Sequence, residues 1–137
     1  MKCVQQNDRI IKMSELNLTN KKLLIRVDLN VPLSEGKISS DKRIRAILPT
    51  LEIGIENKCS IILISHMGRP KEGHFNKQYS LKPVAEYLTQ LIQKEVRFIS
   101  EWEDGFDLIE GEIVLLENIR FSAGEKDNSD NLSKKLA

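Results

Sequence analysis

Arginines and small polar groups recur where short apolar runs stop. Asp28 and Asn30 follow Leu23-Leu24-Ile25-Arg26-Val27, while His66, Met67, Gly68 and Arg69 follow Ile61-Ile62-Leu63-Ile64. Arg120 stands just beyond Ile113-Val114-Leu115-Leu116, and Arg43 and Arg45 precede a helical pattern. The arginine guanidinium is a rigid planar fork that matches carboxylate and phosphate. Several of them converging on one crevice point to a small ligand with more than one anionic group. Asp28 only accepts hydrogen bonds when ionised, so it suits a ligand hydroxyl or the orientation of an arginine. Gly68 lets backbone come close to a ligand. Each group also has a plainer reading. Asp28 and Asn30 make a turn after a strand, His66 is a satisfied histidine, and Met67 is packing. Arg43 and Arg45 lie on a solvated helix face, and Arg120 pairs with Glu117 or Glu125.

These groups need a scaffold that brings strand ends together. Leu23 to Val27 lacks helical spacing and reads as a strand buried on both faces, shut off by Pro32. Asp28 and Asn30, two apart in extended chain, face the same way. Ser34-Glu35-Gly36-Lys37 is a turn, and Ser39-Ser40-Asp41 offers N-caps for a helix over 44–57. Ile47, Leu51 and Ile55 form its buried stripe, with Pro49 forcing a late start or a kink. A second buried strand covers 60–65, and a polar loop covers 71–79. Ser80 caps a helix over 81–94 that tolerates Pro83 in its first turn and buries Val84, Leu88, Leu91 and Ile92. Further strands are expected at 96–99 and 112–117, joined by a connection that Trp102, Phe106 and Leu108 anchor. Residues 124–128 are loop. Ser129-Asp130 opens another helix that reaches Ala137 with no C-cap signal, so the chain reads as the front part of something longer. Strands alternating with helices give an α/β class. The expected architecture is a Rossmann-like parallel sheet with flanking helices, three-layer αβα, incomplete at its C-terminal end. In such sheets ligands bind outside the carboxyl ends of the strands.

Composition narrows the function. The 137 residues carry 21 Lys+Arg against 20 Asp+Glu, a net charge of +1, which is no basic footprint for nucleic acid. Hydrophobic residues make up 40% and charged residues 30%, an ordinary globular balance. No apolar run approaches membrane-spanning length, and the N-terminus lacks a signal-peptide core. Cys3 and Cys59 have no metal-ligand spacing and read as free thiols of a reducing cytoplasm. There is no phosphate loop, no dinucleotide fingerprint, no zinc spacing and no nucleophile elbow.

Four motifs in order carry a resemblance. They are Arg26-Val27-Asp28-Leu29-Asn30-Val31-Pro32, Ser40-Asp41-Lys42-Arg43-Ile44-Arg45, Ser65-His66-Met67-Gly68-Arg69-Pro70, and Leu116-Glu117-Asn118-Ile119-Arg120-Phe121 followed by Gly124-Glu125-Lys126. The chain resembles the N-terminal domain of phosphoglycerate kinase from about Lys12 to Ala137. The resemblance implies that 1–137 is the 3-phosphoglycerate-binding domain, truncated, with the C-terminal nucleotide domain absent. The parent reaction is then reversible phosphoryl transfer between 1,3-bisphosphoglycerate and ADP, giving 3-phosphoglycerate and ATP in glycolysis. The implied substrate-binding residues are Asp28, Leu29, Asn30, Arg43, His66, Met67, Gly68, Arg69 and Arg120. Leu29, Met67 and Gly68 act through backbone, Arg26 supports the site, and Arg43 also stabilises transition-state charge. The resemblance implies no metal ligand or nucleotide site in these residues, since Mg-ATP or Mg-ADP belongs to the missing domain. It further implies a monomeric, cytoplasmic parent, no nucleic-acid or membrane partner, and a later strand beside the first. The fragment alone is expected to be inactive; the alternatives are a catalytically silent anion-binding module or a non-functional remnant.

Overall fold

Four parallel strands set the frame of the molecule, which is known from a computed structural model that describes residues 11–69 and 74–121. In chain order the elements are β1 (Lys22–Arg26), β2 (Leu33–Ser34), β3 (Lys37–Ile38), α1 (Lys42–Ala46), α2 (Leu48–Glu56), β4 (Ser60–Ile64), α3 (Lys82–Ile92), β5 (Val96–Ile99) and β6 (Ile113–Leu116). The main sheet runs β1-β4-β6-β5, and every neighbouring pair is parallel. Residues 1–10, 70–73 and 122–137 lie outside the described residues. They include Cys3, the expected loop at 124–128 and the expected helix start at Ser129.

The crossovers explain both faces of the sheet. Parallel connections are right-handed, so a step that reverses direction across the sheet must cross on the opposite face. The chain steps outward from β4 through α3 to β5, then back from β5 to β6. The helices accordingly pack on one face, where Ile44, Leu51, Val84 and Leu88 meet Ile61, Leu63, Ile113 and Leu115. The return connection covers the other face. Trp102, Phe106 and Leu108 pack there on Ile64, Val114 and Leu116, which is the anchoring expected of them. Fully burying one such aliphatic side chain stabilises by about 1.5–3 kcal/mol. Among the described residues no helix is long and apolar enough to cross a membrane.

Two local expectations need correction. β1 is not buried on both faces. It lies at one edge of the sheet, its burial alternates along the strand, and Leu24 is 45% exposed. An edge strand has one strand neighbour, and nothing described covers Leu24 on the reverse face. β4 and β6, flanked on both sides, are the strands that are buried nearly throughout. The helix expected over 44–57 is two helices broken at Ile47, because Pro49 has no N–H to return to the carbonyl of Arg45. Arg43 and Arg45 therefore lie on α1 and not in a loop. The turn expected over residues 34–37 is present, as the tip of a small hairpin of β2 and β3 with Glu35 and Gly36 both at positive φ (51° and 75°). This backbone suits a tight two-residue turn.

Helix ends also differ from the reading. Asp41 occupies the N-cap of α1 without capping through its side chain. Its Oδ2 instead accepts from the Tyr87 hydroxyl at 2.6 Å and from Arg45 Nε at 2.7 Å. Leu81, not Ser80, sits at the N-cap of α3, while the Ser80 hydroxyl accepts from the Lys82 N–H at 3.3 Å. The Tyr87 hydroxyl, with Arg45 second, holds the Asp41 carboxyl below the usual carboxylate value. A carboxyl depressed in the folded state adds stability that is complete above its unfolded pKa and disappears as pH falls through its folded pKa. Tyr87→Phe is therefore expected to move the Asp41 titration upward and to reduce the acid-side loss of stability that Asp41 causes. Carboxyl carbon NMR across the acid range checks this, and an Asp41 titration that does not move would contradict it.

Candidate functional site

The carboxyl ends of β1, β4 and β6 meet in one hydrogen-bonded chain. Past β1, the Val27 N–H donates to the Ile64 carbonyl at 2.9 Å, so the first two strand tips stay paired. The Leu29 N–H donates to Ser65 Oγ at 2.9 Å, and the Leu29 side chain is fully buried beneath. Pinned in this way, Asp28 and Asn30 turn at the surface. The Asn30 N–H donates to Asp28 Oδ1 at 3.1 Å, an Asx turn rather than extended strand. The plainer reading of the pair, a turn after the strand, is thus what the backbone forms. Asn30 Oδ1 accepts from the Gly68 N–H at 3.0 Å, and Arg120 Nη1 donates to the Gly68 carbonyl at 3.0 Å. Gly68 thereby links the three tips through its own backbone.

That role needs a glycine. Gly68 has φ +61°, and a Cβ there would stand 2.3 Å from Cδ1 of Tyr79. Both the backbone conformation and the close aromatic ring exclude a side chain.

Arg43 reaches the same place from α1. Its Nη1 donates to the Asn30 carbonyl and lies 3.5 Å from Asp28 Oδ1. Both partners of that ion pair are more than half exposed, so it contributes only about 0–1 kcal/mol. The guanidinium is therefore cheap to turn toward a ligand. Arg45 is committed to Asp41 instead, two residues further round the helix. Arg69 follows Gly68 and is exposed, His66 is half-buried, and Met67 is 3% exposed with its carbonyl taken by Asn118. The structure thus joins Asp28, Asn30, Arg43, Gly68 and Arg120 by direct contacts. Leu29 and Met67 frame them from below.

Three residues that hold the site were not singled out for chemistry in the sequence. Ser65 supports Leu29. Glu117, only 4% exposed, accepts from the Ser80 hydroxyl at 2.7 Å, the Leu81 N–H at 2.9 Å and the Asn118 N–H at 2.8 Å. Asn118 donates to the Met67 and Tyr79 carbonyls. The available signal was position alone: each is polar and lies one or two residues past an apolar strand.

A recess of about 390 Å³ opens beside Arg43, lined also by Asn30, Ser40 and Lys42. A larger cavity of about 560 Å³ lies at the tips of β5 and β6, but Glu101, Glu103 and Asp104 line it. An anionic ligand fits the smaller, basic recess better than the larger, acidic one. Among the described residues no group of three or more His, Cys, Asp or Glu is placed to hold a metal ion.

Comparison with known proteins decides the family. The sequence model described as phosphoglycerate kinase matches residues 13–137. The chain belongs to the phosphoglycerate kinase family. It is similar to the solved phosphoglycerate kinase of Coxiella burnetii, with 44% identity and a TM-score of 0.88 over 93% of this chain. The phosphoglycerate kinase of Pyrococcus horikoshii OT3 is similar at 30% identity and a TM-score of 0.76 over 91%. The chain spans 33% and 34% of those two proteins, about a third of a phosphoglycerate kinase. The parallel α/β sheet expected from the sequence is the arrangement shared with these relatives.

Gly68→Ala is expected to destabilise the protein by about 1–3 kcal/mol, the scale of a strained backbone position. Urea denaturation measures the loss. A change within about 0.5 kcal/mol, as for an ordinary surface site, would show that Gly68 is not a constrained junction.

Proposed function

We propose that these residues form the 3-phosphoglycerate-binding part of a phosphoglycerate kinase. The observation that carries this reading is the continuous contact chain Arg43–Asn30–Gly68–Arg120 across three strand tips. It sets Arg43 and Arg120 on one sheet edge, with Arg69 next in sequence to the shared glycine. A substrate with a phosphate and a carboxylate suits that charge. Family membership supports the rest: the parent transfers a phosphoryl group reversibly between 1,3-bisphosphoglycerate and ADP, as a cytoplasmic monomer.

In this reading Asp28 and Asn30 receive the hydroxyl and carboxylate end of the substrate. Arg69 and Arg120, with His66 beside them, complete the basic patch. Arg43 leaves its weak pair with Asp28 to offset charge at the acceptor carboxylate as transfer proceeds. Such chemistry depends chiefly on positioning and charge stabilisation. Mg-ATP supplies the phosphoryl group in the parent. We assign the nucleotide to another part of the parent, across the cleft. A polypeptide of these 137 residues then acts as a silent anion-binding module, a reading favoured by its covering only about a third of its relatives.

In the parent, Arg43→Ala or Arg69→Ala is expected to weaken 3-phosphoglycerate binding by about 1.5–3 kcal/mol, the range for a hydrogen bond to a charged group. Lysine at either position should restore little, since it lacks the planar fork. Titration calorimetry with unchanged affinity in both alanine variants would overturn the assignment. In a coupled assay of ADP formation from ATP and 3-phosphoglycerate, the 137-residue polypeptide should give no turnover above an Arg43→Ala/Arg69→Ala control. Turnover above that control would mean that the nucleotide also binds here.

A further inference from the structure

Asn118 is 1% exposed, so it is buried below the surface on which the arginines lie. Its carboxamide has all its principal partners. Nδ2 donates to the Met67 carbonyl at 2.7 Å and to the Tyr79 carbonyl at 3.0 Å, and Oδ1 accepts from the Arg120 N–H at 3.1 Å. A buried amide is costly unless its hydrogen bonds are made, and here each bond lands on backbone. The three bonds fall on three different segments. Met67 and Tyr79 bracket the excursion between β4 and α3, so one side chain ties the two ends of that excursion together. Arg120 opens the turn after β6. Glu117 steadies the far end by holding Ser80 and Leu81 at the start of α3. The Tyr79 ring, carried by the same backbone, lies against Gly68.

We propose that Asn118 is a positioning residue for 3-phosphoglycerate, acting through the Met67–Arg69 segment and through Arg120. The inference rests on the substrate reading above and adds to it the group that sets its geometry. In this proposal Asn118 makes no contact with the substrate itself. It determines where the Gly68 carbonyl meets Arg120 and where Arg69 leaves the sheet edge. A hydrogen-bonded side chain that aligns charged groups in advance lowers the ordering cost of binding.

Titration calorimetry of 3-phosphoglycerate into the full chain tests this, under conditions where circular dichroism shows each variant folded. Asn118→Ala is expected to weaken binding about tenfold or more. Asn118→Asp should do the same, since it keeps the acceptor for Arg120 but cannot donate to the two carbonyls. Leu88→Ala, a core change in α3 that lowers stability, should bind within about twofold of the unsubstituted chain. Because Asn118 acts through Arg120, the double variant Asn118→Ala/Arg120→Ala should lose distinctly less than the product of the two single losses. Independent, multiplicative losses would overturn the proposal, as would Asn118→Ala binding within about twofold, or failure of both Asn118 variants to fold. If Arg43→Ala weakens binding while the Asn118 variants do not, the positioning role alone fails. If the unsubstituted chain does not bind, or Arg43→Ala binds as tightly as it does, the substrate reading fails and this inference fails with it.

Discussion

All four strands of the main sheet run the same way, and the rest of the site depends on that constraint. Parallel strands place every carboxyl end on one edge, so residues separated by dozens of positions arrive side by side. Asn30 meets Gly68 and Gly68 meets Arg120 only because β1, β4 and β6 are adjacent and in register. Right-handed crossovers then decide what lies over each face. The helices cover one side and the Trp102 connection the other.

The edge so formed separates two kinds of polar group. Ser65, Glu117 and Asn118 are buried, and their hydrogen bonds are made within the protein. Asp28, Arg43 and Arg69 are exposed. Interior polar groups are strong constraints because leaving one unpaired costs about 1–3 kcal/mol. The exposed ion pair of Arg43 and Asp28 is weak because water screens it. Rigidity and responsiveness thus reside in different residues of the same network.

This separation explains what was legible in the sequence. Strands and helices came from apolar runs and their spacing, and Pro49 correctly marked the break between α1 and α2. The arginines were legible because their chemistry is distinctive wherever they sit. The edge position of β1 was not legible in its apolar run, which does not say how many neighbours a strand has; the resemblance, with a later strand beside the first, implied an open flank. Lys22 and Arg26, on the same side as exposed Leu24, carried the hint of an edge. The role of Asp41 was misread for a related reason. A capping pattern is local, whereas one of its two partners, Tyr87, is 46 positions away, the other being Arg45. Ser65, Glu117 and Asn118 were invisible as supports because most of their partners are backbone groups, which every sequence has, and the Ser80 hydroxyl that Glu117 also holds is 37 positions away.

The placement of Gly68 carries the argument one step further. Its N–H and its carbonyl are both engaged, the first by Asn30 and the second by Arg120. The two groups belong to the two peptide units that flank Gly68, and neither unit can rotate to offer its group to a ligand without breaking that contact. The Leu29 backbone is used in the same way, its N–H by Ser65 and its carbonyl by the Val31 N–H at 2.9 Å. On the proposed function, the glycine and leucine segments then shape the site, and the attraction for an anion falls to side chains. Arg120 then has two tasks, since the guanidinium that would meet the ligand also holds the Gly68 carbonyl. Its planar fork can serve both at once, because the several N–H groups point in fixed, different directions. Lysine, with a single ammonium on a flexible stem, would have to choose between the frame and the ligand.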